Sequence, residues 1–126
     1  MKEAKEICPT TAYKKAFEEG ALFVDVRRPS EVETVTFDVP NYVNIPLNEL
    51  EDRMNEIPKD KDVVMVCHSG SRSLRTTLFL TNNGYDNVYN MRDGILKWAR
   101  KRFPLKGNAY LLTGNDSCDC SQPDCC

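Results

Sequence analysis

An α/β fold, with an open, mainly parallel sheet of about five strands and helices on both faces, is the architecture this sequence predicts. Three observations carry it. Short apolar runs alternate along the chain with segments of helical periodicity. Those runs are apolar at successive positions, as in strands covered on both sides. Gly20 and Gly84 stand where helices should stop.

Thr10 or Thr11 can cap a first helix, and Ala12, Tyr13, Ala16 and Phe17 recur at helical spacing, so a helix is expected over residues 11–19. Leu22-Phe23-Val24-Asp25-Val26 reads as a buried strand. Pro29 and Ser30 then open a short helical turn over residues 31–35. Val43-Asn44-Ile45, between two prolines, is a second short strand, and the stripe Leu47, Leu50, Met54, Ile57 predicts a helix ending before Pro58. Val63 to Val66 is a third buried strand. A polar loop from Cys67 to Arg72 follows, then an amphipathic helix marked by Leu74, Thr77, Leu78 and Thr81. Asn87 to Met91 form a last strand, and Ile95, Trp98 and Ala99 a last helix ending near Pro104. Right-handed crossovers between such strands place ligands at the carboxyl ends of the sheet.

The chain has 126 residues and is 40% hydrophobic, enough for one domain with its own core. Apolar periodicity fades from Gly107, so the expected division is a folded domain over 1–107 and a flexible cysteine-rich tail over 108–126. Seventeen basic and 19 acidic residues leave a net charge of -2, which gives no general electrostatic case for nucleic acid or anionic lipid. The first seven residues lack the apolar stretch of a signal peptide, and no later run has the length of a membrane span, so a cytoplasmic location is expected. Four of the six cysteines crowd into the last nine residues, which suggests reactive or metal-binding thiols rather than a disulfide framework. Cys8 is read as a strand or loop residue without chemistry.

The chemistry concentrates at Cys67-His68-Ser69-Gly70-Ser71-Arg72-Ser73. A cysteine at the carboxyl end of a strand, just before a helix N-terminus, sits where backbone N–H groups converge and the helix dipole is positive. Gly70 supplies the freedom for a tight curl. Such a setting lowers a thiol pKa from about 8.5 towards neutrality and makes Cys67 a nucleophile. Arg72 offers a planar fork of donors for an oxyanion, Ser69 and Ser71 can add hydroxyl donors, and Ser73 is placed to cap the next helix. His68, the sole histidine, stands beside the nucleophile as a candidate base on a solvent-facing position. The arginine falls five residues after the cysteine, whereas cysteine-dependent phosphatases place it six after, so a smaller cradle is expected. Near the same rim, Arg27 is expected to pair with Glu31 across a turn, a structural contact.

This loop resembles the active-site loop of rhodanese-like domains, where a Cys-x-x-Gly-x-Arg pattern is common. Phe23-Val24-Asp25-Val26-Arg27-Arg28-Pro29-Ser30-Glu31 is similar to the family's Asp-Val-Arg signature, and Val43-Asn44-Ile45-Pro46-Leu47 to its Asn-Ile-Pro-Leu segment. Asn82 to Val88 and Gly94-Ile95-Leu96-Lys97-Trp98 resemble its last strand and final helix, so the likeness runs over roughly residues 6 to 106. Thr36 to Tyr42 depart from the family's usual Gly-His-Ile-Pro-Gly-Ala. The resemblance implies a sulfurtransferase without bound cofactor. Cys67 would take sulfane sulfur from a small donor such as thiosulfate as a persulfide and pass it to a thiol, including one on a protein, or to cyanide. His68, Ser69, Gly70, Ser71, Arg72 and Ser73 would bind the substrate.

Two rival readings follow from the residues. One is a phosphatase or arsenate reductase using the same cysteine loop. The other is a soft-metal or redox-sensing protein acting through Cys118, Cys120, Cys125 and Cys126. Their Cys-x-Cys-x4-Cys-Cys spacing does not match paired Cys-x2-Cys zinc ligands, so a loose copper(I) or zinc cluster is the expected form.

Overall fold

The computed structural model describes residues 3–107. The elements run, in chain order, β1 (Lys5–Ile7), α1 (Pro9–Glu18), β2 (Leu22–Asp25), α2 (Pro29–Thr34), β3 (Val35–Phe37), β4 (Tyr42–Asn44), β5 (Val63–Val66), α3 (Ser71–Thr81), β6 (Val88–Met91), α4 (Gly94–Arg100) and β7 (Leu105–Gly107). The main sheet has five strands in the order β1-β6-β5-β2-β4, all neighbours parallel. β3 and β7 form a separate antiparallel pair.

Strand alternation builds two cores. Phe23, Val64 and Val66 face one side and pack with Ala12 and Ala16 of α1 and with Ile95 and Trp98 of α4. Val24, Val63 and Met65 face the other and pack with Ile45, Leu50, Leu80 and Tyr85. Trp98 is wholly buried, its ring edge-on to Phe23 and Phe37, and its indole N–H donates to the Pro104 carbonyl at 2.8 Å. It belongs to the core.

After β2 the chain steps outward to β4, then returns across β2 to β5 on the other side. That reversal opens a crevice at the carboxyl ends of β2 and β5, the position where open parallel sheets bind ligands.

Several elements differ from expectation. β1, β3 and β7 are strands that the sequence pattern did not indicate. The helix expected over 47–57 is two single 3-10 turns, Leu47–Glu49 and Met54–Glu56. Its apolar stripe still points inward, since Leu50 and Ile57 are buried. The Tyr85 hydroxyl lies within hydrogen-bonding reach of the Met54 and Ile57 carbonyls, at the end of the segment where Pro58 has no N–H to extend a helix. On α3 the buried face is small and polar, made by Ser73, Thr76, Thr77 and Thr81 with Leu80, while Leu74 and Leu78 are exposed. Thr76 and Thr77 remain satisfied there by donating to the Ser73 carbonyl at 2.8 and 2.7 Å. α1 begins at Pro9 with Cys8 as its N-cap residue, ahead of the two threonines.

Candidate active site

Cys67 directly follows β5 and is fully buried. The backbone curls around its sulfur. Gly70 N–H points at Sγ from 3.1 Å, and Ser73 N–H and the Ser73 hydroxyl from 3.4 Å each. Gly70 makes the curl possible with φ of +99°, and a Cβ there would lie 2.9 Å from the Asp93 nitrogen.

The loop carbonyls are turned the other way. Ile95 N–H donates to the Cys67 carbonyl at 2.8 Å and Leu96 N–H to the His68 carbonyl at 3.2 Å, so the first turn of α4 pins the loop from beneath. Gly94 allows this approach: a Cβ at its φ of +58° would fall 2.4 Å from the His68 oxygen and 2.5 Å from the Cys67 oxygen. Amides therefore face the sulfur while carbonyls are held away, an arrangement that favours negative charge on Sγ.

Ser73 does not cap α3. The helix starts at Ser71 with Gly70 as its N-cap, and Ser73 stands inside the first turn. Its hydroxyl has three acceptors in reach, Sγ, the Gly70 carbonyl and Asn90 Oδ1, with Asn90 the nearest. Asn90, buried on β6, in turn donates from Nδ2 to Glu6 at 3.0 Å. Sequence reading passed over Asn90, because β6 meets the loop only in three dimensions.

Arg72 is bound by a carboxylate. Its Nη1 and Nη2 donate to Glu31 Oε1 and Oε2 at 2.8 and 3.2 Å, and both side chains are about 30% exposed. Glu31 Oε1 also accepts the Arg28 N–H at 3.0 Å. The Arg72 guanidinium, aided by that amide, holds the Glu31 carboxyl down at about 2, and Glu31 in return raises Arg72.

The expected Arg27–Glu31 contact is thus replaced. Arg27 is buried and grips Asp25 instead, with Nε 2.9–3.0 Å and Nη2 2.7 Å from its oxygens, and Nη2 also donates to the Val35 carbonyl at 2.9 Å. The Tyr42 hydroxyl donates to Asp25 Oδ2 at 2.7 Å. This cluster ties β2 to β3 and β4, and its role is structural.

His68 is half-buried on the loop, and the exposed hydroxyls of Ser69 and Ser71 meet each other at 3.5 Å. Beside the loop, a cavity of about 880 Å³ has Val26, Pro29, Pro46 and Leu47 among its walls and Glu31 and Arg72 at its edge.

A family model described as the rhodanese-like domain matches residues 9–101. The chain belongs to the rhodanese-like domain family. This rhodanese-like domain is 41% identical over 87 residues to a sulfurtransferase of Allochromatium vinosum, an alignment spanning 69% of this chain and 79% of the relative. It is 33% identical over 104 residues to the thiosulfate sulfurtransferase GlpE of Pseudomonas syringae, covering 82% of this chain and 94% of that one. A rhodanese-related protein from Thermoplasma volcanium superposes with a TM-score of 0.73 at 26% identity, over 81% of this chain and 97% of the other. These relatives support sulfurtransferase activity in general terms.

Cys67 is the free cysteine among the described residues, and Cys8 is the buried N-cap residue of α1, its Sγ 3.3 Å from the Thr11 hydroxyl. Among the described residues no group of three or more metal-ligating side chains is gathered, and no helix is long and apolar enough to cross a membrane. The four thiols read as soft-metal ligands, Cys118, Cys120, Cys125 and Cys126, lie outside the described residues.

Proposed function

We propose that the rhodanese-like domain transfers sulfane sulfur through a persulfide on Cys67. The observation that carries this reading is the convergence of two backbone amides and one hydroxyl on Sγ, with the loop carbonyls tied to α4. A thiolate and the terminal sulfur of a persulfide carry the same charge, so one cradle serves both states.

With thiosulfate as donor, the Cys67 thiolate attacks the outer sulfur, the S–S bond of thiosulfate breaks, and sulfite departs with the bonding pair. An acceptor thiolate or cyanide then attacks the terminal sulfur of the persulfide and regenerates the Cys67 thiolate. Arg72 stands beside this path as the local cation. Because Cys67 is fully buried, each half-reaction needs the loop to yield locally.

Intact-mass spectrometry after incubation with a sulfane donor tests the proposal. The wild-type protein should gain the mass of one sulfur atom on Cys67, reversibly with cyanide, and Cys67→Ser should gain none while keeping its fold. Equal thiocyanate production by Cys67→Ser would falsify it. Aryl phosphates should be poor substrates, because Cys67 and Arg72 enclose a loop one residue shorter than that of cysteine phosphatases.

A further inference from the structure

Resting on the sulfurtransferase reading, we propose that Asn90 is a positioning residue. It holds the single proton of the Ser73 hydroxyl while Cys67 is a thiol or a persulfide, must give it up to the thiolate, and so biases Cys67 towards carrying sulfur.

The donors around Sγ are of two kinds. The Gly70 and Ser73 amides are fixed by the backbone and point at Sγ whatever its charge. The Ser73 hydroxyl can turn. It has one proton and three acceptors in reach: Sγ at 3.4 Å, the Gly70 carbonyl at 3.2 Å, and Asn90 Oδ1, which is the nearest. Ser73 and Asn90 are 0% and 1% exposed, so bulk water replaces neither partner.

Glu6 decides which way the hydroxyl turns. Asn90, on β6, donates from Nδ2 to Glu6 Oε2 on β1 at 3.0 Å. A flipped amide would set two acceptors face to face, so Oδ1 is held towards Ser73. An amide oxygen only accepts. The Ser73 proton therefore lies towards Asn90, and Oγ turns a lone pair to Sγ. A thiol fits this arrangement, because its own S–H can donate to Oγ. A thiolate does not, since drawing the hydroxyl proton to itself leaves Oδ1 buried without a partner, a cost of the same order as the bond gained.

Loading resolves the conflict. When the thiolate takes a sulfur atom from thiosulfate and sulfite leaves with the bonding pair, the negative charge moves to the outer sulfur and Sγ becomes a neutral bridging atom. The hydroxyl proton then returns to Asn90. The Ser73–Asn90–Glu6 chain thus raises the free thiolate in energy against both the thiol and the persulfide. The other charged and titratable groups around Cys67 are the Glu31–Arg72 and Asp25–Arg27 pairs, His68 on the loop and Asp93 ahead of α4, and replacing Asn90 by an apolar residue changes the charge of none of them.

The test follows the full-length protein by two readouts. The first is the pH profile of iodoacetamide alkylation, read at the peptide that contains Cys67 by mass spectrometry. Asn90→Leu removes the acceptor at nearly constant volume and frees the hydroxyl for the thiolate, so the midpoint should fall by at least about half a pH unit. On a Ser73→Ala background the same substitution should leave the midpoint in place. Asn90→Val, a good strand former, repeats the measurement should leucine fail to pack. The second readout is the fraction of Cys67 that carries sulfur at a fixed ratio of thiosulfate to sulfite. Above the alkylation midpoint, where the thiolate is the reference, the ratio of loaded to unloaded Cys67 should fall about threefold in Asn90→Leu, the equivalent of that half unit. A midpoint that stays or rises in Asn90→Leu, or that falls equally on the Ser73→Ala background, overturns the proposal. A wild-type protein that takes up no sulfur sinks the sulfurtransferase reading, and the alkylation profiles, which involve no sulfur donor, tell that failure from this one.

Discussion

Two arginine–carboxylate pairs stand a few residues apart at the carboxyl end of the sheet, and they differ in what surrounds them. Asp25 and Arg27 are 0% and 1% exposed, and both carboxylate oxygens and the Arg27 Nε and Nη2 make their hydrogen bonds inside the fold. Glu31 and Arg72 are about 30% exposed, and the pair joins a surface helix with no buried residue to the Cys67 loop. The contrast teaches that geometry alone does not set a pair's role. A buried pair cannot part without leaving an uncompensated charge, whereas a rim pair can part and be answered by water or a ligand.

The largest expected effect is on the buried side of this comparison. Arg27→Ala should destabilise the domain by about 3–5 kcal/mol, because Asp25 would remain buried with its charge unanswered. Urea denaturation measures it, and a loss below about 1 kcal/mol would show that Asp25 is reached by solvent.

Arg72→Ala should behave in the opposite sense, costing less than about 1 kcal/mol of stability. Its kinetic effect should exceed its structural one. Loss of a charge-assisted contact to an anionic donor is worth about 1.5–3 kcal/mol, on the order of a tenfold to hundredfold rise in the Michaelis constant for thiosulfate. Steady-state kinetics at matched protein concentration would expose a guanidinium that plays no part, through an unchanged constant.

Acid should separate the pairs again. The Glu31 carboxyl ionises near 2 in the fold and near 4.5 in the unfolded chain, held down by Arg72. Its contribution is therefore complete above pH 4.5 and fades as pH falls through about 2. Solvent screening of a pair this exposed limits it to about 1 kcal/mol. Glu31→Gln should flatten the stability profile between those two pH values by that amount. A variant whose profile parallels the wild type would show that the pair adds no stability.

The smallest effect is that of salt. Near 1 M ionic strength the screening length falls to about 3 Å, so the rim pair should weaken while the buried one is untouched. Thermal melts in sodium chloride should then shift less for Glu31→Gln than for the wild type. Equal shifts would locate the salt response elsewhere.

The Cys67 loop is legible in the sequence as a candidate site because its parts are contiguous. Cys67, Gly70 and Arg72 lie on one short stretch after an unmistakable buried strand, and the alternation of strands and helices gave the fold class. What escaped reading depends on partners distant in sequence. β1 and β7 are three residues each and mostly exposed, so their strand state comes from pairing with β6 and β3 rather than from any pattern of their own. Turn spacing suggests Glu31 as the partner of Arg27, whereas residues two apart along an extended chain share a side, which brings Arg27 to Asp25. The leucines of α3 suggest its core face, but Leu74 and Leu78 are exposed and threonine hydroxyls bonded back to the helix fill that place.

The contacts between the loop and α4 bear on how the domain opens. A helix begins with amides that have no partner within it, and here two of them are satisfied by the carbonyls of Cys67 and His68. Fraying of α4 therefore unfastens the backbone of Cys67, and distortion of the loop strips the helix of its cap. Loop and helix should open as one cooperative unit, with the Ile95 and Leu96 amides exchanging with deuterium in step with the Gly70 and Ser73 amides. A persulfide on Cys67, by tightening the cradle, should slow exchange across α4 as well as in the loop.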